Sequence, residues 1–450
     1  MRRSEDSDPA RTLCEAVTQA LAAHVPAGAP VAIALSGGRD SVALLDVLAR
    51  IVEQRQHHLT AVHVHHGLSP NADGWASFCE SLCARLDVPL AIRAVTVPRA
   101  PQTSLEGEAR RLRYAALAAA ATADGARFVA LAHHRDDQAE TLLLQLLRGS
   151  GARGLAGMGT MREGPHGVAW LRPLLDMPRA LIDAYANARE LAFIDDESNA
   201  NPRHRRNAIR HHVMPALAAV AFDPARTLAR AAAHQAESAR LADDLAVLDA
   251  RGNADETTLA RASLAALPPH RARNLLRWFL RGQGLPAPST AQLAAMLAQL
   301  AGARDDARVT IPHAGIEIGI HRGRVAIHAP PPPPFDLRWR GESRLALPHG
   351  TLEFADACGA GLDLARLSCA VVRIRSRRGG ERLQRVPGGP HQTLKSILRD
   401  AGIAHWDRWS IPLVYCGDAL AAVPGVGIDT AFRAGQTEAG VMPTWYPRPL

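Results

Sequence analysis

Over roughly the first 150 residues, short apolar runs alternate with longer amphipathic stretches. Residues 31–35, 59–65, 90–95 and 128–132 are too short and too continuously apolar for helices and read as buried strands. Residues 41–54, 72–86, 105–123 and 137–147 carry the helical period between them. Strands alternating with helices predict an α/β fold, a Rossmann-like parallel sheet with helices on both faces. On such sheets ligands bind beyond the carboxyl ends of the strands.

The pattern then changes. A glycine-rich segment, 149–159, reads as a mobile loop. Asp223 followed by Pro224 reads as a helix N-cap and first-turn proline, opening a helix that runs to about residue 248. Further helices are predicted at 257–266, 270–283 and 289–300, and short strands at 309–311, 315–320 and 324–327. Five prolines at 330–334 make a semi-rigid spacer. The expected organisation is an adenylation domain at 1–215, a mainly helical substrate- and tRNA-binding domain at 216–329, a linker at 330–335 and a small mixed α/β domain at 336–450.

Composition narrows the class. With 47% hydrophobic residues the chain can bury sizeable cores. A net charge of +8, carried almost wholly by arginine, suits a nucleic-acid partner, and equally suits a generally arginine-rich composition. Six cysteines in 450 residues make no disulfide scaffold, and none has metal-ligand spacing. No secretory leader or membrane-length apolar run is visible, so a cytoplasmic protein with no membrane partner is expected.

The strongest chemical signal is Val31-Ala-Ile-Ala-Leu-Ser-Gly-Gly-Arg-Asp-Ser41. A buried strand runs into Ser36, Gly37 and Gly38, and a helix starts near Ser41. Paired glycines let backbone amides approach an anion, and the helix N-terminus adds unpaired N–H groups. The lysine of a Walker loop is missing. A glycine turn with no ligand is the alternative. The pattern, with Arg39 and Asp40 completing it, resembles the PP-loop of the N-type ATP pyrophosphatases. That resemblance implies a PP-loop that binds pyrophosphate, AMP transfer from ATP, and Asp40 near the magnesium–pyrophosphate group.

Several further motifs follow in order: Val62-His-Val-His-His-Gly-Leu-Ser69, Leu105-Glu-Gly-Glu-Ala-Arg-Arg-Leu-Arg-Tyr114, Ala132-His-His-Arg-Asp-Asp-Gln-Ala-Glu-Thr141, Leu171-Arg-Pro-Leu-Leu175, Asp195-Asp-Glu-Ser-Asn199 and Arg203-His-Arg-Arg-Asn-Ala-Ile-Arg210. This series resembles the tRNA(Ile)-lysidine synthetases, and Pro387-Gly-Gly-Pro-His-Gln-Thr-Leu-Lys395 is similar to part of their last domain. The resemblance implies three substrates: ATP with Mg2+, free L-lysine, and an isoleucine tRNA with a CAU anticodon. ATP adenylates the 2-oxo oxygen of the wobble cytosine. The ε-amine of lysine then displaces AMP, with pyrophosphate as the other product. The family also implies a homodimer.

Residue roles follow from the chemistry. Arg110 and Arg113 share a helix face and suit the cytosine or a phosphate, with Glu106 spaced to orient Arg110. The same Glu–Arg spacing also makes ordinary surface ion pairs. Asp136 and Asp137 follow the fourth strand; one suits magnesium, assigned to Asp136, and the other the attacking amine. An N-cap at Asp136 is the alternative. His66, His133 and Glu140 are expected to line the substrate site. Arg203, Arg206 and Arg210 fall on one helical face beside Asn199 and suit the anticodon-loop backbone, or merely solvate a surface helix. Arg373, Arg375, Arg377, Arg378, Arg382 and Arg385 make a second basic patch, suited to the acceptor stem.

Other functions are weaker. A tRNA thiolase calls for reactive or cluster-binding cysteines, and the chain has no Cys-x-x-Cys. An NAD or GMP synthetase has no use for basic accessory domains. A non-catalytic RNA-binding protein would not need the intact loop with Asp40 and the Asp136–Asp137 pair.

Overall fold

The computed structural model describes residues 8–55, 57–65, 67, 69–98, 105–197, 205–255, 257–304 and 307–448. The chain forms two compact units, Met1–Leu241 and Ala242–Leu450.

The first unit opens with helix α1 (Pro9–His24), then alternates: β1 (Val31–Ala34), α2 (Arg39–Arg55), β2 (Leu59–His65), α3 (Ala72–Arg85), β3 (Leu90–Ala94), α4 (Leu105–Ala123), β4 (Phe128–Ala130) and α5 (Arg135–Leu146). After these come α6 (Ala152–Leu155), β5 (Met161–Glu163), β6 (Ala169–Leu171) and α7 (Arg179–Ala188). The sheet order is β3-β2-β1-β4-β6-β5, parallel except for the β5–β6 pair. Strand order therefore reverses around β1, and a crevice opens between the loops that follow β1 and β4.

The side-chain period of two explains the unbroken apolar run of β1. Val31 and Ile33 face the core built with α1, α2 and α7. Ala32 faces the opposite core, built with α4 residues Leu117 and Ala121. Both faces are covered, so no position in the strand can be polar.

Two expectations are corrected here. The glycine-rich segment is not a plain loop. It holds the helical turn α6, and the Gln138 side chain donates to Met158 O at 2.9 Å while its Oε1 accepts from Met158 N at 2.8 Å. A Cβ at Gly157 would lie 2.6 Å from Gln138 Oε1, so only glycine admits that grip. Asp136 is also not the cap of its own helix. His134 takes that position, and its backbone N–H donates to Asp137 Oδ2 at 3.0 Å. Asp136 Oδ2 instead accepts the first N–H of α7, Arg179 N, at 3.0 Å.

The unit closes with α8 (Arg205–Ala208), a π-helical turn (Ile209–Val213), α9 (Met214–Val220) and the start of α10 (Pro224–Ala250). Asp223 Oδ1 accepts from Arg226 N at 3.0 Å, as an N-cap should.

In the second unit, residues 257–266 split into β7 (Thr258–Ala260) and α11 (Arg261–Ala266). The strand forms because β10 (Arg324–His328) offers an edge, which local propensity cannot reveal. With α12 (Pro269–Gly282), α13 (Thr290–Gly302), β8 (Thr310–His313) and β9 (Ile316–His321), this region packs three helices on a four-stranded sheet, β7-β10-β9-β8, around Leu275, Leu293 and Ile318. The expected mainly helical stretch thus carries a full sheet.

Beyond the proline spacer the fold is rich in β-structure. A five-stranded and a four-stranded sheet share a core centred on Leu352, Ile374 and Val414. Residues on either side of the spacer touch: the His328 ring stacks on Trp406 with centroids 4.2 Å apart and planes 6° apart.

Candidate active site

The loop after β1 closes on itself. Gly37 has φ +83°, a conformation suited to glycine. Gly38 N donates to Ser36 Oγ at 3.3 Å, and Ser36 Oγ lies 3.0 Å from Ser41 Oγ. Ser41 is 4% exposed and donates to Gly38 O at 2.8 Å, so its hydroxyl holds the loop's shape. The loop is also tied across the cleft, where Ile194 N donates to Gly37 O at 2.9 Å.

An open cleft of about 650 Å³ lies in front of this loop. Ser36, Gly38, Arg39, Asp40 and Ser41 line one side, and Arg113, His133, Asp137 and Arg210 line other parts of it. Sequence reading missed several of its walls: Tyr114, Arg179, Phe193, Ile194 and Glu197. Arg110 is exposed and stands over the Tyr114 ring at 5.1 Å instead of lining the cleft. His66, Asn199 and Arg203 lie outside the described residues, as does the side chain of Glu106.

The charges converge on His134, which is 1% exposed. Its Nε2 lies 3.6 Å from Asp40 Oδ2 and 3.5 Å from Asp137 Oδ2, and its Nδ1 lies 3.7 Å from Asp136 Oδ2. Burial works to lower the His134 pKa, but the contact with Asp40 and the charges of Asp137, Asp40 and Asp136 outweigh it, and the pKa is raised. Nothing in the sequence beyond the histidine doublet signals this hub.

Asp137 is shifted the other way. Burial works to raise its pKa, yet His134 and Arg206 overcome this, and the carboxyl titrates below its usual range. Arg206 Nη2 donates to Asp137 Oδ1 at 2.8 Å. The buried carboxylate of Glu140 accepts from Arg206 Nε at 2.7 Å and Arg210 Nε at 2.6 Å. Arg206 and Arg210 therefore face inward onto α5. His133 is driven down to about 3 by burial, so its ring is neutral near pH 7. Burial likewise lowers Arg113.

Among the described residues no group of three or more His, Cys, Asp or Glu side chains is arranged to hold a metal alone. One oxygen is nevertheless conspicuous: Asp40 Oδ1 is buried with no hydrogen-bond partner among the described residues. Such an atom fits a cation that also takes oxygens from a phosphate chain. Asp136, whose Oδ2 already accepts from Arg179 N, fits less well.

A parallel sheet whose central strand runs into Ser-Gly-Gly-Arg-Asp-Ser at the crevice defines a PP-loop protein, and residues 11–217 match the PP-loop domain family. Residues 259–326 match the TilS substrate binding domain and 372–445 the TilS substrate C-terminal domain. The chain is 39% identical over 434 residues to a tRNA(Ile)-lysidine synthase of Nitrosomonas europaea, covering 95% of this chain and 94% of that one. It is 41% identical over 428 residues to the enzyme of that name from Azoarcus sp. strain BH72, covering 95% and 94%. The chain belongs to the tRNA(Ile)-lysidine synthase family.

Proposed function

We propose that this protein forms lysidine. It uses ATP to adenylate the 2-oxo oxygen of the wobble cytosine of a CAU-anticodon isoleucine tRNA. It then joins the ε-amine of free L-lysine to the activated carbon, releasing AMP and pyrophosphate. The observation that carries this reading is the phosphate loop, with Asp40's unpaired oxygen on the same cleft as Arg113, His133 and Asp137.

The loop amides and the N-terminus of α2 receive the phosphates. Asp40 Oδ1 would hold magnesium, which neutralises charge on the polyphosphate. Arg113 supplies a cation where the cytosine oxygen and α-phosphate meet. Asp137 stays ionised well below neutral pH, so it attracts the lysine ammonium, and neutral His133 offers a ring nitrogen to the amine once its proton has left. Residues 216–329 and 336–450 serve tRNA binding in this reading, with the basic residues between 373 and 385 on the acceptor stem. The reading also includes the homodimer and a cytoplasmic location. No helix among the described residues is long and apolar enough to cross a membrane.

Sulfur transfer finds no support, because burial pushes the Cys79 thiol up to about 12 and Cys83 up to about 11. The test is direct. Labelled lysine should enter a CAU-anticodon isoleucine tRNA only with ATP present, with AMP and pyrophosphate formed in equal amounts. ADP as the main nucleotide product would overturn the reading.

A further inference from the structure

Helix α7 carries a charge cluster that the functional reading leaves unused. Asp183 stands between two arginines of the cleft wall. Arg39 Nη1 donates to Asp183 Oδ1 at 2.6 Å, and Arg179 Nε lies 4.0 Å from Asp183 Oδ2. Both guanidiniums line the same cleft as Ser36 and Gly38. The side chains are partly open, 33% for Arg39 and 39% for Arg179.

The arrangement is built and not incidental. The Arg39 guanidinium lies over the Phe193 ring at 4.5 Å, which fixes its plane. Its Nε is buried with no hydrogen-bond partner among the described residues. Leaving a charged donor unpaired is costly unless a ligand completes it. Two cations share one carboxylate, so the cluster carries a surplus positive charge. Arg39 belongs to the first turn of α2, whose N-terminal dipole adds to that charge.

We infer that Arg39, Asp183 and Arg179 form a diphosphate clamp. The two arginines take the β,γ end of ATP and then the pyrophosphate it becomes. Asp183 is a positioning residue that aims both guanidiniums without touching the ligand. Forked guanidinium donors match phosphate oxygens in geometry as well as charge. This inference rests on the proposed reaction, since it assigns the leaving group of that reaction a seat. No bond is made or broken at the clamp. It binds the terminal phosphates while the Pα–O bond to pyrophosphate breaks elsewhere in the cleft.

The experiment uses the full-length chain with tRNA, lysine and ATP. It measures kcat, KM for ATP, KM for tRNA and inhibition by added inorganic pyrophosphate. Arg39→Gln and Arg179→Gln should each raise KM for ATP and weaken pyrophosphate inhibition by about tenfold or more, the cost of one charge-assisted contact. KM for tRNA should stay within about twofold of the unmodified chain, because its many phosphate contacts lie elsewhere. Asp183→Asn keeps both cations but loses their aim, so kcat should fall while pyrophosphate still inhibits. A weakened response to pyrophosphate with an unchanged KM for ATP would confine the clamp to the product. A purely structural role for the cluster would lower the unfolding temperature and leave both nucleotide constants unmoved, which overturns the clamp. If Asp183→Asn does not fold, the two arginine variants still decide the matter. A wild-type chain that makes no AMP would overturn the proposed reaction itself, whereas normal AMP formation with unaltered arginine variants overturns only the clamp.

Discussion

Arg210 donates from Nε to Glu140 Oε1 at 2.6 Å and from Nη2 to Oε2 at 3.1 Å, a two-pronged pair whose carboxylate is 2% exposed. Glu140 also accepts from Arg206, so one buried anion holds two cations against α5. Replacing Glu140 with Ala strands both. Breaking a buried pair of this kind costs about 3 kcal/mol, so E140A should unfold at a clearly lower temperature. E140Q, which keeps acceptor capacity, should lose less. An E140A chain as stable as wild type would show that the pair makes no net contribution.

The two loop glycines should respond differently to alanine. At Gly37 a Cβ would sit 2.4 Å from Ile194 Cδ1, on a backbone at φ +83°. G37A must distort the loop and should lose both stability and nucleotide turnover. At Gly38 the nearest atom to an added Cβ is Ser36 Oγ, at 3.5 Å. G38A should therefore fold normally and fail only where phosphate must approach, seen as a raised KM for ATP at an unchanged unfolding temperature. Equal losses of stability in the two variants would contradict this division.

His133 should make the protein acid-labile. Burial depresses its pKa from 6.5 to about 3. The unfolded chain then binds the extra proton first, so folding stability falls as pH drops from about 6.5 towards 3. Asp137, whose pKa is also lowered, adds a loss of the same sign, but only below its usual carboxyl range of about 4. Denaturant titrations of wild type and H133N between pH 7 and pH 5 separate the two: the slope should flatten in H133N. Identical slopes would mean that His133 is hydrated in solution.

The C-terminal arginines differ in how far they are already paired. Asp336 accepts from Arg373 at 2.7 Å and lies 3.3 Å from Arg375, while Arg378 stands 3.8 Å away with its side chain 74% exposed. Exposed Arg378 and Arg382 are the better candidates for RNA phosphates. R378Q with R382Q should reduce the logarithmic salt slope of tRNA binding by about 0.7–0.9 per lost contact. A slope equal to wild type would place the acceptor stem elsewhere.

The sheet was readable because each strand's burial is local: β1, β2 and β4 are apolar on both faces and each precedes a helical period. The phosphate loop was readable for the same reason, since its turn, hydroxyls and helix start lie within six neighbours in the chain. Arg206 and Arg210 were harder. Their spacing suggests a solvent-facing stripe, and only the fold brings them to carboxylates some seventy residues away. β7 was read as helix because its partner, β10, lies more than sixty residues downstream. The clasp of Gln138 on Met158 left no periodic trace either, since a single amide gripping a loop changes no pattern.

The ladder contact between Gly37 and Ile194 has a mechanical consequence. Ile194 pairs with Gly38 in strand fashion and donates to Gly37 O. The next residues, Asp195, Asp196 and Glu197, form the acidic lip of the cleft. The floor that receives the nucleotide and the rim that meets the other substrates are thus rungs of a single piece of backbone. A load on one is felt by the other without any intervening side chain. Nucleotide arrival and substrate admission share a hinge, and the order of binding becomes a property of the main chain.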